Sequence, residues 1–200
     1  MSQSFIEKYF ASLESIIAQL DPQAFEKAIA ILTEAYLQDR QIFIAGNGGS
    51  AASANHFVCD FGKNAIQREG ARRFRIISLC DNVEKITAIA NDIAFEQIFS
   101  FQLENLMRPG DVLILISASG SSPNILEALT YARKVEDSSV ITLSGFEGGK
   151  IAGLADASLV ARSKSYERVE DIHLIILHMI VCYFKEHPEL TIPKDETHSL

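Results

Sequence analysis

Nothing in the 200 residues approaches the ~20 consecutive apolar positions that a membrane-spanning helix needs, so no transmembrane segment is expected. Met1 to Leu20 alternates charge with apolar residues and has no signal-peptide core, which leaves a cytoplasmic chain as the expectation. Cysteine is scarce. Cys59, Cys80 and Cys182 are odd in number, widely spaced and set in apolar patterns, which speaks against disulfides and a cysteine-based zinc site and for thiols that are either in the core or of neutral reactivity. Positive charge is short as well: the net charge is −8 and the pI near 5.1. The only basic cluster, Arg72-Arg73-Phe74-Arg75, reads as a solvated strand entry that phosphorylated or acidic ligands could visit, and nucleic acid is not an expected partner. There is neither an internal repeat nor a low-complexity tract.

What is present is apolar. Hydrophobic residues make up 48% and the mean hydropathy is +0.11, rich for a soluble monomer, so part of the apolar surface is expected to meet other subunits. Residues 1–200 suit a single domain. Phe5, Ile6, Tyr9, Phe10, Leu13, Ile16, Ile17 and Leu20 recur at helical spacing, and Asp21-Pro22 caps and starts a second helix. This pair, residues 1–38, is expected to pack against the same pair of another subunit. Strands are expected from Gln41, at 74–79, at 112–116, at 139–143 and at 157–160. Between them helices are expected after the first glycine loop, at 83–90 with Asp81 as cap, at 94–106 and at 125–135, and a last helix at 167–185. Alternation of this kind gives an α/β three-layer sandwich around a parallel five-stranded sheet. Residues 187–200 read as a loosely held tail.

Two loops carry chemistry. Gly46-Asn47-Gly48-Gly49-Ser50 joins a strand to a small-residue helix, where glycines allow positive φ and the helix N-terminus offers N–H groups to an anion such as phosphate. The loop is neither a nucleoside-triphosphate loop nor a dinucleotide fingerprint, and a plain packing turn is the competing reading. Ser117-Ala118-Ser119-Gly120-Ser121-Ser122 follows a buried strand, where ligands of open parallel sheets bind, and its hydroxyls and N–H groups suit phosphate oxygens without a lysine. A serine-rich helix cap is the alternative there.

These loops, together with Ala90-Asn91-Asp92, Thr142-Leu143-Ser144-Gly145, Gly148-Gly149-Lys150, Glu170-Asp171-Ile172-His173 and His178, resemble in order the SIS (sugar isomerase) domain family, more narrowly its sedoheptulose-7-phosphate (phosphoheptose) isomerases. The resemblance covers nearly the whole chain. It implies a flavodoxin-like sheet, a homotetramer with active sites at subunit interfaces, and conversion of sedoheptulose 7-phosphate to a D-glycero-manno-heptose 7-phosphate. Carried over by position, it puts the phosphate on Ser117, Ser119 and Ser122. Asn47, Gly48, Gly49 and Ser50 would lie at the sugar or phosphate edge, Asn91 and Asp92 at the sugar chain, and Glu170 at the substrate. Asp60 and His178 match the acid/base pair, and His56, Asp60, Glu170 and His178 match a zinc set.

The residue types fit that chemistry on their own terms. Aldose–ketose interconversion through an enediol needs a base near carbon and an acid near oxygen, which a carboxylate and an imidazole supply. His56 and Asp60 are four apart on one helical face, and Glu170 and His178 about two turns apart on another. Two histidines and two carboxylates are credible Zn²⁺ ligands, the competing reading being a capping or packed histidine and a solvated pair. Three positions depart from the isomerases: Asp60 replaces glutamate, withdrawing the carboxylate by about 1.5 Å; Glu170 replaces glutamine; Ala118 replaces threonine. A second function stays open, a non-catalytic SIS protein that binds a sugar phosphate or a protein such as the bacterial replication initiator.

Overall fold

A computed structural model describes residues 4–192. Ser4 opens the first helix, α1 (Phe5–Ile17), with a reciprocal capping box: its hydroxyl accepts from the Glu7 N–H and the Glu7 carboxylate accepts from the Ser4 N–H. Asp21 caps α2 (Pro22–Leu37) with proline in its first turn, as expected. The remaining elements are β1 (Gln41–Gly46), α3 (Gly49–Asn64), β2 (Arg75–Ser78), α4 (Val83–Asp92), α5 (Ser100–Leu106), β3 (Val112–Ser117), α6 (Pro123–Ala132), β4 (Ser139–Gly145), β5 (Ala157–Ala161) and α7 (Tyr166–Glu186).

All five strands are parallel, in the order β2-β1-β3-β4-β5. Parallel strands are covered on both faces, which is why β3 is buried along its whole length. Alternate residues feed two cores. Ile42, Ile44, Ile114 and Ile116 face α2, α3 and α7; Phe43, Ala45, Leu113 and Leu115 face α4, α5 and α6. The result is the expected three-layer α/β sandwich.

The chain moves from β1 outward to β2, then returns past β1 to β3. The carboxyl tips of β1 and β3 therefore flank the point where the winding reverses, the standard crevice of this topology. Both chemical loops lie at that crevice.

Several expectations fail locally. The cap of α4 is Asn82, whose side chain accepts from the Lys85 N–H, and not Asp81; α4 also runs through Asn91 and Asp92. The single helix expected at 94–106 is a 3₁₀ turn at Phe95–Gln97 followed by α5, because the bend carries Ile98 and Phe99 into the core side by side. Cys59 and Cys182 are exposed, lying off the buried stripes Ser50, Ala54, Phe57, Phe61 on α3 and Ile176, Ile180, Phe184 on α7. Arg72 is not simply solvated: its guanidinium donates to the Tyr36 and Leu37 carbonyls and lies over the Tyr36 ring. Of the expected loose tail, 187–192 is packed, with a 3₁₀ turn at Pro188–Thr191 and Thr191 buried; 193–200 lie outside the described residues.

Candidate active site

Glycine at the tip of β1 has a steric cause. A Cβ on Gly46 would stand 2.7 Å from Ser50, and Gly48, at φ 53° and ψ −119°, holds a conformation that a side chain would strain. Gly48 N-caps α3 and so places the positive end of that helix at the crevice, although the Ser50 and Ala51 N–H groups already donate to the Asn47 and Gly48 carbonyls at 2.9 and 3.0 Å. Gly49 leaves room for the Glu170 carboxylate, which a Cβ there would meet at 2.7 Å. Behind the loop, Cys80 Sγ donates to the Gly46 carbonyl at 3.3 Å and accepts from its N–H at 3.4 Å; burial pushes this thiol's pKa up, so it stays neutral.

The serine loop is held from behind by main chain. A Cβ on Gly120 would run into the Gly148 carbonyl, one on Gly149 into the Ser119 carbonyl, and the Ile151 N–H donates to the Gly120 carbonyl at 3.0 Å. Ser122 sits at the N-cap of α6 as expected, with Pro123 next. Its hydroxyl pairs with Ser117 Oγ at 3.2 Å instead of capping the helix. Across the crevice, Asn47 and Asn124 exchange amide hydrogen bonds of 2.9 and 2.8 Å, which locks the glycine loop to α6. The Asn47 amide thus spends one N–H and one oxygen lone pair on Asn124 and keeps the second of each at the cavity it lines.

Asn47, Ser50, Ser117, Ser119, Ser122 and Glu170, all expected at the site, line one cavity of about 190 Å³, together with Tyr166 and Ala118. A larger hollow of about 340 Å³, lined by Glu34, Arg40 and Asp137, opens at the amino ends of the strands, away from both loops. Chemistry and topology, not size, select the smaller one. Among the described residues Glu170 is the only carboxylate on its wall and no cation lines it, so an anion there would depend on hydroxyls and on the N-terminal dipoles of α3 and α6.

A second cluster joins α3 to α7. His56 Nε2 lies 2.9 Å from His178 Nε2, and Asp60 Oδ2 lies 3.3 Å from His56 Nε2 and 3.5 Å from His178 Nε2. Despite its shorter side chain, Asp60 reaches both imidazoles. Ligands about 2.0–2.2 Å from a tetrahedral Zn²⁺ sit roughly 3.3 Å apart, so the spacing of these three donors is one that could hold such an ion. Glu170 is not in the triangle; its carboxylate lies against Gly49, which corrects its placement among the metal ligands within one chain.

Other expected residues are elsewhere. Asn91 and Asp92 end α4, exposed, with Asn91 Nδ2 donating to Asp92 Oδ1 at 2.7 Å, and neither lines the cavity. Gly48 and Gly49 act through backbone shape. Sequence reading gave no role to Asn124 or Tyr166. The signals were there: an amide just inside a Ser-Pro helix start, and an aromatic four residues before Glu170.

Small polar loops at the switch point of a parallel sheet, with a histidine–carboxylate cluster on the adjoining helices, define a class of α/β protein with a crevice suited to a small polar ligand. Residues 4–145 match the SIS domain, and the chain belongs to that family. It is 40% identical over 182 residues to the phosphoheptose isomerase of Helicobacter hepaticus, covering 89% of this chain and 90% of that one. Against the Citrifermentans bemidjiense phosphoheptose isomerase it is 37% identical, covering 84% and 85%. The solved phosphoheptose isomerase of Neisseria gonorrhoeae superposes with a TM-score of 0.80 at 30% identity, over 90% of this chain and 94% of that one.

Proposed function

We infer that this chain is a phosphoheptose isomerase, an aldose–ketose isomerase acting on sedoheptulose 7-phosphate to give a D-glycero-manno-heptose 7-phosphate. The observation that carries the reading is a spacing. Glu170 in the cavity wall and His178 in the cluster lie eight residues apart on α7, a rise of about 12 Å. An extended heptulose phosphate spans about eight bonds from C1 to phosphorus, roughly 10 Å at ~1.2 Å per bond. A substrate with its phosphate on Ser117, Ser119 and Ser122 therefore carries C1 and C2 toward Asp60 and His178.

Asp60 and His178 divide the proton transfers. The base takes a proton from C1 while the acid gives one to the C2 carbonyl oxygen, forming the enediol. Return of a proton to C2 and removal of one from the C1 hydroxyl then leaves the aldehyde. Ser50 and the α3 N-terminus hold the phosphate side of the crevice, and Glu170 accepts from sugar hydroxyls. His56, Asp60 and His178 would hold Zn²⁺, which would polarise the substrate carbonyl; in that state the lone pairs of Asp60 Oδ2 and His178 Nε2 would serve the metal, so the proton transfers above are those of the metal-free cluster.

The half-exposed cluster, with His56 and His178 side chains 49% and 46% exposed, supports a homotetramer in which a neighbouring subunit closes each site. Asn91 and Asp92, outside their own chain's cavity, fit that role. No helix among the described residues is long and apolar enough to cross a membrane, and a cytoplasmic setting belongs to the same reading.

A coupled assay on sedoheptulose 7-phosphate, with and without added zinc, tests it. Turnover is expected in the parent, and Asp60→Asn is expected to lower kcat by about a hundredfold or more. No turnover under either condition, with sugar-phosphate binding kept, would instead favour the non-catalytic binding protein.

A further inference from the structure

Tyr166 is a residue of the cavity wall that neither the proton transfers nor the phosphate grip uses. It is the first residue of α7, four before Glu170, so its ring and that carboxylate share one face of the helix and the same cavity. The residue is 52% exposed, and its ring is the largest apolar group in a cavity otherwise lined mainly by polar side chains. Its hydroxyl has no hydrogen-bond partner among the described residues.

Its position is nonetheless fixed. Phe146 packs edge-on against it, with ring centroids 5.2 Å apart and planes at 75°. Phe146 holds φ at 52°, a left-handed conformation uncommon for a bulky residue and costly unless its surroundings enforce it. They do: its N–H donates to the Ser163 carbonyl at 3.1 Å, tying the turn after β4 to the segment that leads into α7. A strained backbone thus presents one ring as the backing for another, and the second ring borders the serine loop. Backbone strain of this kind persists where a side chain must be aimed.

The geometry points to Tyr166 as a substrate-positioning residue: its ring face forms the wall along which the carbon chain of a phosphorylated open-chain sugar lies, and its free hydroxyl hydrogen-bonds a sugar hydroxyl, with Phe146 as its support. This rests on the sugar-phosphate reading above and adds to it a contact to the carbon chain that is separate from the phosphate site.

The test compares Tyr166→Phe, Tyr166→Leu and Phe146→Gly with the parent, reading kcat and KM for sedoheptulose 7-phosphate and Ki for inorganic phosphate. Loss of the hydroxyl in Tyr166→Phe is expected to raise KM about five- to tenfold, the worth of one net hydrogen bond. Tyr166→Leu, which also removes the flat ring, is expected to raise it further, to about thirtyfold or more. Phe146→Gly keeps φ accessible and leaves Tyr166 in place, so a rise in KM of about threefold or more there reports lost orientation alone. The phosphate Ki is expected to stay within about twofold throughout, since the serine loop is untouched. An unchanged KM in Tyr166→Leu, or a phosphate Ki that rises in step with KM, overturns the assignment, and an unchanged KM in Phe146→Gly overturns the supporting role. Were the parent inactive, the isomerase reading would fail by itself. Dissociation constants for the sugar phosphate and for phosphate, measurable without turnover, would still decide Tyr166: equal values in the parent, or equal sugar-phosphate affinity in parent and Tyr166→Leu, refute it.

Discussion

His173 lies one turn past Glu170 on α7, 1% exposed, with neither ring nitrogen hydrogen-bonded among the described residues; the Ser144 main chain is close, without hydrogen-bond geometry. Burial drives its pKa down to about 4, from an ordinary value of 6.5, because the imidazolium would lose its hydration. The folded pKa is below the unfolded one, so the unfolded chain takes up the proton first as pH falls. Stability is therefore full above about pH 6.5 and declines toward pH 4, with a contribution of about 2 kcal/mol between pH 7 and pH 5. Urea unfolding at those two values is expected to show that loss in the parent and to show it reduced in His173→Leu. At this scale the sequence was partly legible. Ser117, Ser119, Ser122 and Ser50 converge on one cavity as their positions suggested, whereas Glu170 parted from the histidines because eight residues of helix separate it from His178. Asn124 stayed hidden because an amide in an apolar helix reads as neutral until its partner, Asn47, arrives from a distant strand.

The serine loop keeps its shape because the turn after β4 presses backbone against backbone. Gly149, at φ 59°, is the contact point, and its N-terminal neighbour Gly148, at φ 97°, shares the constraint. Gly149→Ala adds a methyl group directed at the Ser119 carbonyl, so the loop must shift. The expected result is a loss of roughly 1–3 kcal/mol in stability. Phosphate affinity is expected to weaken at least about tenfold, since hydroxyls are displaced from a site that tolerates little misplacement. Thermal unfolding and a phosphate titration measure the two effects, and an unchanged titration would refute the buttress. Among elements, strands were easiest to find because parallel, doubly covered strands are written as plain apolar runs such as Val112 to Ile116. The break between Phe95–Gln97 and α5 was not found, because consecutive apolar residues there continue a helical pattern that only packing interrupts.

On the molecule as a whole, α1 is docked to α7 by polar contacts: Tyr9 Oη donates to the Asp171 carboxylate at 2.6 Å, and the Arg168 guanidinium covers the Tyr9 ring. Its apolar positions Phe5, Ile6 and Phe10 are 78%, 67% and 66% exposed, a stripe that the described residues leave uncovered. Under the tetramer reading, light scattering is expected to give about four times the 22.1 kDa chain mass. Phe10→Asp, placing a charge on that stripe, is expected to lower the mass and the activity together; an unchanged mass would remove α1 from the assembly.

By itself the sequence determined the layered parallel fold, the two loops at strand tips and the identity of most polar groups around them, because periodicity, capping and glycine conformations are local properties of the chain. Tertiary structure alone decided that Asp60 reaches two imidazoles, that Asn47 is clasped by Asn124, and that Tyr166 is braced over the cavity by Phe146. Each of those depends on the distance between residues far apart in the chain, which is fixed only when the helices settle on the sheet.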